Sequence, residues 1–585
     1  MSGNIFSTKE FEELYTYNGK LGALYSSECT SFVVWAPTAT KVELVLYGKD
    51  GTVTNNKAES KQAMLKAEKG TWQLTKIGDL AGTYYNYLIT VDGKTNEVVD
   101  PYAKAVGVNG KRGMVVDLSA TNPAGWENDK SPILNAATDS MIYEIHIRDF
   151  TIGVGYEEKG YNGKYKGVWQ KGTTLSNTTI KTGIDHLLEL GVNTVQIMPT
   201  FDYLSVDESK LDKMQFNWGY DPQNYNAPEG SYSSDPYNAA TRITELKELI
   251  QALHKNGIRV IMDVVYNHTG TAVDSNLNLA VPNYYYRFNE EGEFTDGSGC
   301  GNETASERTM VNKFIVDSVV YWAKEYHIDG FRFDLASILG QDYEGKWMKD
   351  SLLQEIASDA ILSNVKLITE SWDAKGSYDV GRMPYPFREW SDYFRDTMRK
   401  FVKGDQGIVK SVADCMLGKE IYFADMQKGG THTIHFITAH DGFTLRDLCS
   451  YNGKHNLENG EENRDGNNAN YSYNWGAEGP TIDQNILRRR LVATKNAMCL
   501  LLMGKGVPMM LMGDEIGRTQ GGNNNAFCQN HEGIWMNWDQ LISEAELYTF
   551  TKGLIHLRKT LKYFTTQEKY KVTWHGVNYG QPDWS

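Results

Sequence analysis

Gly330-Phe331-Arg332-Phe333-Asp334-Leu335 is the stretch on which the reading of this chain turns. It is an apolar run carrying one arginine and one aspartate, opened by a glycine and followed by small residues. That pattern predicts a buried strand with its charged pair at the C-terminal end. A carboxylate buried without a partner costs several kcal/mol or shifts its pKa. An arginine two residues away can keep Asp334 ionised, which is what a nucleophile or an electrostatic stabiliser requires. A structural ion pair at a strand end would look the same in isolation, so the neighbouring stretches decide the reading.

Working outward, strands and helices alternate. Met141 to Phe150 reads as a strand, Ile184 to Leu190 as a helix, and Gly191 to Pro199 as the next strand. Apolar residues at helical spacing over 244–256 end at Gly257, and Ile258 to Asp263 predicts another strand. A helix over 311–326 leads into the opening stretch, strands over 365–370 and 433–439 follow, and 546–561 reads as a last helix. This alternation requires a parallel sheet, and the number of units favours a closed (β/α)8 TIM barrel over an open sheet. The barrel is expected over 132–562, with inserts near 200–240, 270–310 and 450–485 on the active face.

On either side of the barrel the texture is β. Residues 1–122 carry short β-branched and aromatic runs, among them Ser31 to Pro37, Lys41 to Tyr47 and Thr83 to Ile89, which indicate a sandwich. Val572-Thr573-Trp574-His575-Gly576 starts another strand with little to pair with, so 563–585 is expected to be the start of a truncated C-terminal β domain.

Composition restricts the partners. Among 585 residues the net charge is −15, which argues against nucleic acid or an anionic membrane and suits a neutral substrate. No run reaches the ~20 apolar residues of a membrane span. The aromatic fraction of 12%, with 14 Trp and 35 Tyr, supplies faces that stack on sugars as well as filling cores. Met1-Ser2-Gly3-Asn4 lacks the features of a signal peptide, so the expected location is the cytoplasm, or outside the cell with a signal peptide already removed. The six cysteines (Cys29, Cys300, Cys415, Cys449, Cys499, Cys528) show no paired spacing and read as free thiols. Oligomeric state is left open.

Four expected strand ends carry polar clusters: Asp263 to His268, Gly330 to Asp334, Ile368 to Asp373, and Thr438 to Asp441. Catalytic groups of such a barrel come from the C-terminal ends of several strands. A retaining glycosidase needs one carboxylate for attack and one carboxylic acid for the leaving oxygen, about 5–5.5 Å apart, with pKa values pushed apart. His432 and His435 are spaced HxxH but read as structural, and Gly299-Cys300-Gly301 is no redox motif.

These stretches resemble the α-amylase family of glycoside hydrolases, over essentially residues 25–585. The resemblance implies Asp334 as nucleophile, Glu370 as general acid/base and Asp441 as transition-state stabiliser. It also implies Arg332 as the group keeping Asp334 anionic, His268 and His440 as hydrogen-bond partners of the sugar ring, and Asp263 and Asn267 as scaffold. Gln215-Phe216-Asn217-Trp218-Gly219-Tyr220-Asp221-Pro222 is similar to the motif of type I pullulanases, with Phe216 where tyrosine is usual. By that resemblance Trp218, Tyr220 and Asp221 contact substrate, and Tyr220 and Trp372 stack on the sugars either side of the scissile bond. The stretches His440 to Leu448 and Gly513 to Asn525 look more like isoamylases and glycogen-debranching enzymes, and FVVWAPTATKVELVLY resembles the N-terminal module of debranching enzymes. The implied function is retaining hydrolysis of α-1,6 branch linkages in pullulan, starch or limit dextrins, as in type I pullulanases. The alternative is isoamylase-type debranching; a branching transglycosylase and a non-catalytic starch-binding barrel rank below both. No organic cofactor and no catalytic metal is required, and a structural calcium is compatible with the long loops, although no EF-hand spacing appears.

Overall fold

The computed structural model describes residues 5–6, 8–52, 57–157, 160–215, 217–418 and 432–565. Its centre is a closed barrel of eight parallel strands: β1 (Ile142–Ile145), β2 (Thr194–Ile197), β3 (Arg259–Val264), β4 (Gly330–Phe333), β5 (Lys366–Thr369), β6 (Arg388–Trp390), β7 (Thr433–His435) and β8 (Val507–Leu511). Closure comes from pairing of β1 with β8, Ile142 opposite Met509. Ile142, Ile261, Ile368 and Ile434, from β1, β3, β5 and β7, belong to one interior cluster. Four side chains from alternate strands are how such a barrel fills a layer of its core. With the interior filled, functional side chains gather in the last residues of the strands and just beyond their C-terminal ends.

The helices between strands follow from apolar spacing and caps. In Ala239–Lys255, Ile243, Leu246, Ile250 and Leu253 form one buried face, and the side chain of Asn238 accepts from Ala240 N–H at the start. The chain leaves the helix through Gly257 at φ +75°, a conformation that favours glycine.

Several expected boundaries move. The run read as one strand from Met141 to Phe150 stops at Ile145, because His146 caps a helix over Ile147–Ile152 with Nδ1 accepting from Asp149 N–H (3.3 Å). The strand expected over 433–439 covers only Thr433–His435, and β6 and β8 complete the barrel where the sequence pattern had marked no strand. A short helix, Lys9–Tyr15, precedes the first strand. The strand expected at Val572 and the aromatic Phe216 lie outside the described residues.

Residues 22–114 form two antiparallel sheets. One orders its strands as Gly22–Tyr25, Cys29–Trp35, Thr71–Ile77 and Leu65–Lys66; the other as Ser60–Ala63, Lys41–Gly48, Tyr84–Val91 and Lys94–Val98. Phe32, Val34, Val42, Leu44, Tyr85 and Tyr87 are buried with them. The sheets join the barrel through Asn109: its N–H donates to Glu208 Oε2 (2.8 Å) and its Oδ1 accepts from Glu208 N–H (2.6 Å). None of the six cysteines forms a disulfide.

Candidate active site

The site begins at β4. Asp334 follows its last residue and extends the ladder by one step, its N–H donating to Val264 O (3.0 Å). Arg332 lies opposite Asp263 of β3 in register. From there its Nη1 donates to Asp263 Oδ1 (3.0 Å) and Oδ2 (3.1 Å) and to Asp334 Oδ1 (3.0 Å), while Nη2 donates to Glu370 Oε2 (2.9 Å). One guanidinium therefore spans the carboxylates at the ends of β3, β4 and β5. Burial alone would disfavour that cation, but Asp263, Glu370 and Asp334 hold it ionised. Its carbon stands 4.3 Å from the ring centroid of the buried Trp390 of β6.

The two carboxylates differ in surroundings. Asp334 Oδ2 accepts from Asn267 Nδ2 (2.8 Å), so both of its oxygens face donors that suit an anion. Glu370 Oε2 also accepts from the N–H of Leu335 (3.2 Å), which the backbone presents at φ +39°, whereas Oε1 has no protein partner among the described residues. Burial raises the Glu370 carboxyl, Arg332 opposes, and the Asp334 charge raises it further. A carboxylate with a donor on each oxygen, beside a carboxyl pushed toward its acid form, is the arrangement an acid/base pair needs. Asp263, deep beneath them, is pushed up to about 7 by burial despite Arg332.

Asp441 lies after β7 with its side chain reaching the open cleft and no hydrogen bond among the described residues. The protein walls around it raise its carboxyl, and Glu370 adds to that while His440 opposes. His440 itself is gripped by Glu144 of β1, which accepts from its Nδ1 (3.0 Å) and its N–H (2.8 Å). Burial works against the imidazolium, yet the Glu144 carboxylate lifts its pKa above the ordinary value. Its Nε2 has no protein partner among the described residues and is left for a ligand.

Tyr220 is half-buried, stacked on the His440 ring (5.1 Å between centroids, 21° apart), and its hydroxyl donates to Asp263 Oδ2 (2.8 Å). Trp218 is 9% exposed and packs edge-on to His440 among Met198, Ala526 and Ile534, a position behind the cleft wall. His268 has protein oxygens against both ring nitrogens, Tyr220 O at Nε2 (2.7 Å) and Asn267 Oδ1 at Nδ1 (2.6 Å); burial favours the neutral ring, which donates to one of them, beside the Asn267 amide that reaches Asp334. Burial pushes Asp221 up to about 6 against a hydrogen bond from Ser205. Trp372, half-buried on the interior cluster, is carried by a turn in which Asp373 Oδ1 accepts from the N–H of Lys375 (2.9 Å), Gly376 (2.7 Å) and Ser377 (2.8 Å). Glu144 and Trp390 were not singled out from sequence. Glu144 had a readable signal, a carboxylate inside the apolar run Ile142–Ile145.

A calcium site is the remaining expectation. Asp202, Glu208 and Glu229 bring carboxylate oxygens within 4.8 Å of one another, all buried. The Arg242 guanidinium already fills this cage, donating to Asp202 Oδ1 (3.2 Å) and Glu208 Oε2 (2.7 Å). Backbone N–H groups of Gly230, Tyr203 and Ser231 and the Asn224 amide saturate the remaining oxygens. Those residues do not fit a calcium ion. Arg242→Leu should therefore cost about 3–5 kcal/mol of stability by leaving buried carboxylates uncompensated. A chelator should leave the wild-type melting temperature unchanged; calorimetry with and without EDTA checks both.

Comparison with known proteins places this geometry. Residues 20–103 match the model of carbohydrate-binding module 48 (isoamylase N-terminal domain), and residues 175–282 match the α-amylase catalytic domain. The chain is 36% identical to the chloroplastic isoamylase SU1 of Zea mays over 97% of this chain and 77% of that protein. It is 34% identical to the glycogen operon protein GlgX homolog of Haemophilus influenzae, over 91% and 82%. A crystal structure of pullulanase from Paenibacillus barengoltzii, in complex with maltohexaose and α-cyclodextrin, is similar at a TM-score of 0.81 and 36% identity, covering 95% of this chain and 83% of that one. With an N-terminal module 48, a closed parallel barrel and relatives of this kind, the chain belongs to the α-amylase family of glycoside hydrolases (family 13), among its debranching enzymes.

Proposed function

We propose that this protein hydrolyses α-1,6 branch linkages of glycogen- or starch-type glucans with retention, in the manner of an isoamylase. The observation that carries the reading is the sharing of Arg332 between Asp334, both of whose oxygens accept from donors, and Glu370, whose Oε1 is left open. Asp334 attacks the anomeric carbon while Glu370, through the unpartnered Oε1, protonates the departing O6. Water then enters, Glu370 takes its proton, and the covalent intermediate is released. Asp441 and the free Nε2 of His440 hold hydroxyls of the distorted ring. The isoamylase and GlgX relatives, matched over nearly the whole chain, support this polymer preference over the pullulanase reading of the sequence motif. The motif at Asn217–Pro222 and the pullulanase structures keep pullulan as the second reading.

Product analysis on glycogen, pullulan and amylose is the test. Glycogen should lose its branches, amylose should stay uncut, and pullulan should be turned over more slowly. Ready release of maltotriose from pullulan would reverse the preference, and shortening of amylose would sink the debranching reading. In this reading Trp372 seats the leaving sugar by its face, which is worth roughly 1 kcal/mol or more. Trp372→Ala should lower kcat/KM on the branched polymer at least tenfold, since misplacing that sugar also misplaces its oxygen relative to Glu370.

Trp390 acts one step further back, as a positioning residue. A cation–π contact in a desolvated site is worth about 2 kcal/mol. Trp390→Leu should free Arg332 to shift, lowering kcat about tenfold with little change in KM. Because Arg332 holds the Glu370 pKa down, the alkaline limb of the kcat/KM profile should move upward. Trp390→Phe, which keeps a ring face, should restore both; a kcat loss with an unmoved limb would leave Trp390 a packing residue.

A further inference from the structure

Beside the cleft, at the same mouth of the barrel, lies a cavity of about 150 Å³ lined by His146, Arg148, Asn162, Lys164, Asn217 and Tyr232 among others. His146 follows β1, the strand whose Glu144 grips His440, and Asn217 directly precedes Trp218. The cavity thus adjoins the site without sharing its carboxylates.

Its cations are under-used. Arg148 is half-buried, its Nε is fully buried without a partner, and no acceptor faces its terminal nitrogens among the described residues. The Lys164 ammonium makes one hydrogen bond among the described residues, Nζ to Ser231 O (2.7 Å), and burial together with the Arg148 charge brings it down to about 8. Asn162 also has a buried amide oxygen without a partner, and its amide can present either end to a ligand. Three of the carboxylates nearby are engaged elsewhere, and a fourth, Asp149, has a buried Oδ1 without a hydrogen-bond partner. Glu229 accepts from Tyr203 and Ser231 N–H, Glu208 pairs with Arg242, and Glu245 accepts from Ser234 beside Lys166. Asp149 is pushed up by burial to about 7 and forms no ion pair with Arg148. Two like charges converging on a small polar cavity, one without any acceptor, are costly until an anion joins them. A carboxylate has two oxygens for donors spread over Arg148, Lys164 and Asn162, whereas a phosphoryl group has three and meets the arginine fork with two of them.

We propose that this cavity binds a phosphoryl group, either inorganic phosphate or a phosphate monoester carried on the glucan. Arg148 takes two oxygens and Lys164 the third, beside the chain held in the cleft.

Two arms test it on the full chain. In the first, inorganic phosphate and glucose 6-phosphate are titrated by calorimetry against chloride at equal ionic strength. Saturable binding is expected in the wild type and at least tenfold weaker binding in Arg148→Gln and in Lys164→Gln. This arm is independent of the debranching reading. In the second, which rests on that reading, kcat/KM is compared on phosphorylated amylopectin and on the same polymer after enzymatic dephosphorylation. If the source is the ester, Arg148→Gln should lower turnover of the phosphorylated polymer at least fivefold more than that of the neutral one. If the source is the free anion, the polymers should behave alike while inorganic phosphate still binds. Absence of phosphate-specific binding in the wild type overturns the proposal, whatever happens in the variants. So does an Arg148→Gln loss equal on both polymers with phosphate binding unchanged.

Discussion

Asp334→Asn is expected to leave a folded protein that still binds branched oligosaccharide and turns over almost none of it. The substitution keeps the shape of the side chain and its contact with Asn267, and Arg332 retains Asp263 and Glu370 as partners. What disappears is the anion that attacks. Loss of a covalent nucleophile removes on the order of 10⁴-fold or more in kcat, about 5.5 kcal/mol of barrier. Melting temperature and oligosaccharide affinity by calorimetry should stay near wild type. Activity within tenfold of wild type would end the assignment of Asp334 as nucleophile.

Glu370→Gln should be comparably severe on glycogen and far milder on an aryl glycoside whose leaving group needs no proton. General acid–base catalysis contributes typically 10²–10⁴-fold, and that is the loss expected on the natural linkage. On the activated substrate the first step survives, and the covalent intermediate accumulates as a burst, because its hydrolysis lacks a base. The pH behaviour follows from the same residue. Glu370 works as an acid, so its useful form is the protonated one; burial raises its pKa, and wild-type activity falls as pH rises through that raised value. Glutamine cannot titrate, so that alkaline limb should vanish on the activated substrate. Equal losses on activated and natural substrates would show that Glu370 is not the acid.

The sequence makes most of the barrel legible for a physical reason. β2, β3, β4 and β5 are apolar runs bounded by turn residues, and the three proposed catalytic carboxylates follow strand ends where a polar residue stands out. β6 is hidden because Arg388-Glu389-Trp390 has three residues, two of them charged, and β8 because Pro508 in Val507–Leu511 reads as a break. The end of β1 was missed because His146 caps a helix with a ring nitrogen, which no periodicity reports. The support of the site is harder still. Glu144 meets His440 across 296 residues, and Arg332 meets Trp390 only once the barrel has closed. His268 shows the limit of inference by resemblance: that Tyr220 O and Asn267 Oδ1 lie against both its ring nitrogens could not be read from the motif.

Leu335 follows Asp334 with φ at +39°, where a side chain with a Cβ crowds its own backbone. Such a residue stores about 1–3 kcal/mol, held only because the surrounding structure over-determines it. Here the strained conformation turns an N–H toward Glu370, tying the acid to the strand that bears the nucleophile. At this one peptide, thermal resistance and turnover pull in opposite directions. Selection for heat tolerance would favour relaxing the backbone at 335, and each step of relaxation would loosen the spacing on which the chemistry depends.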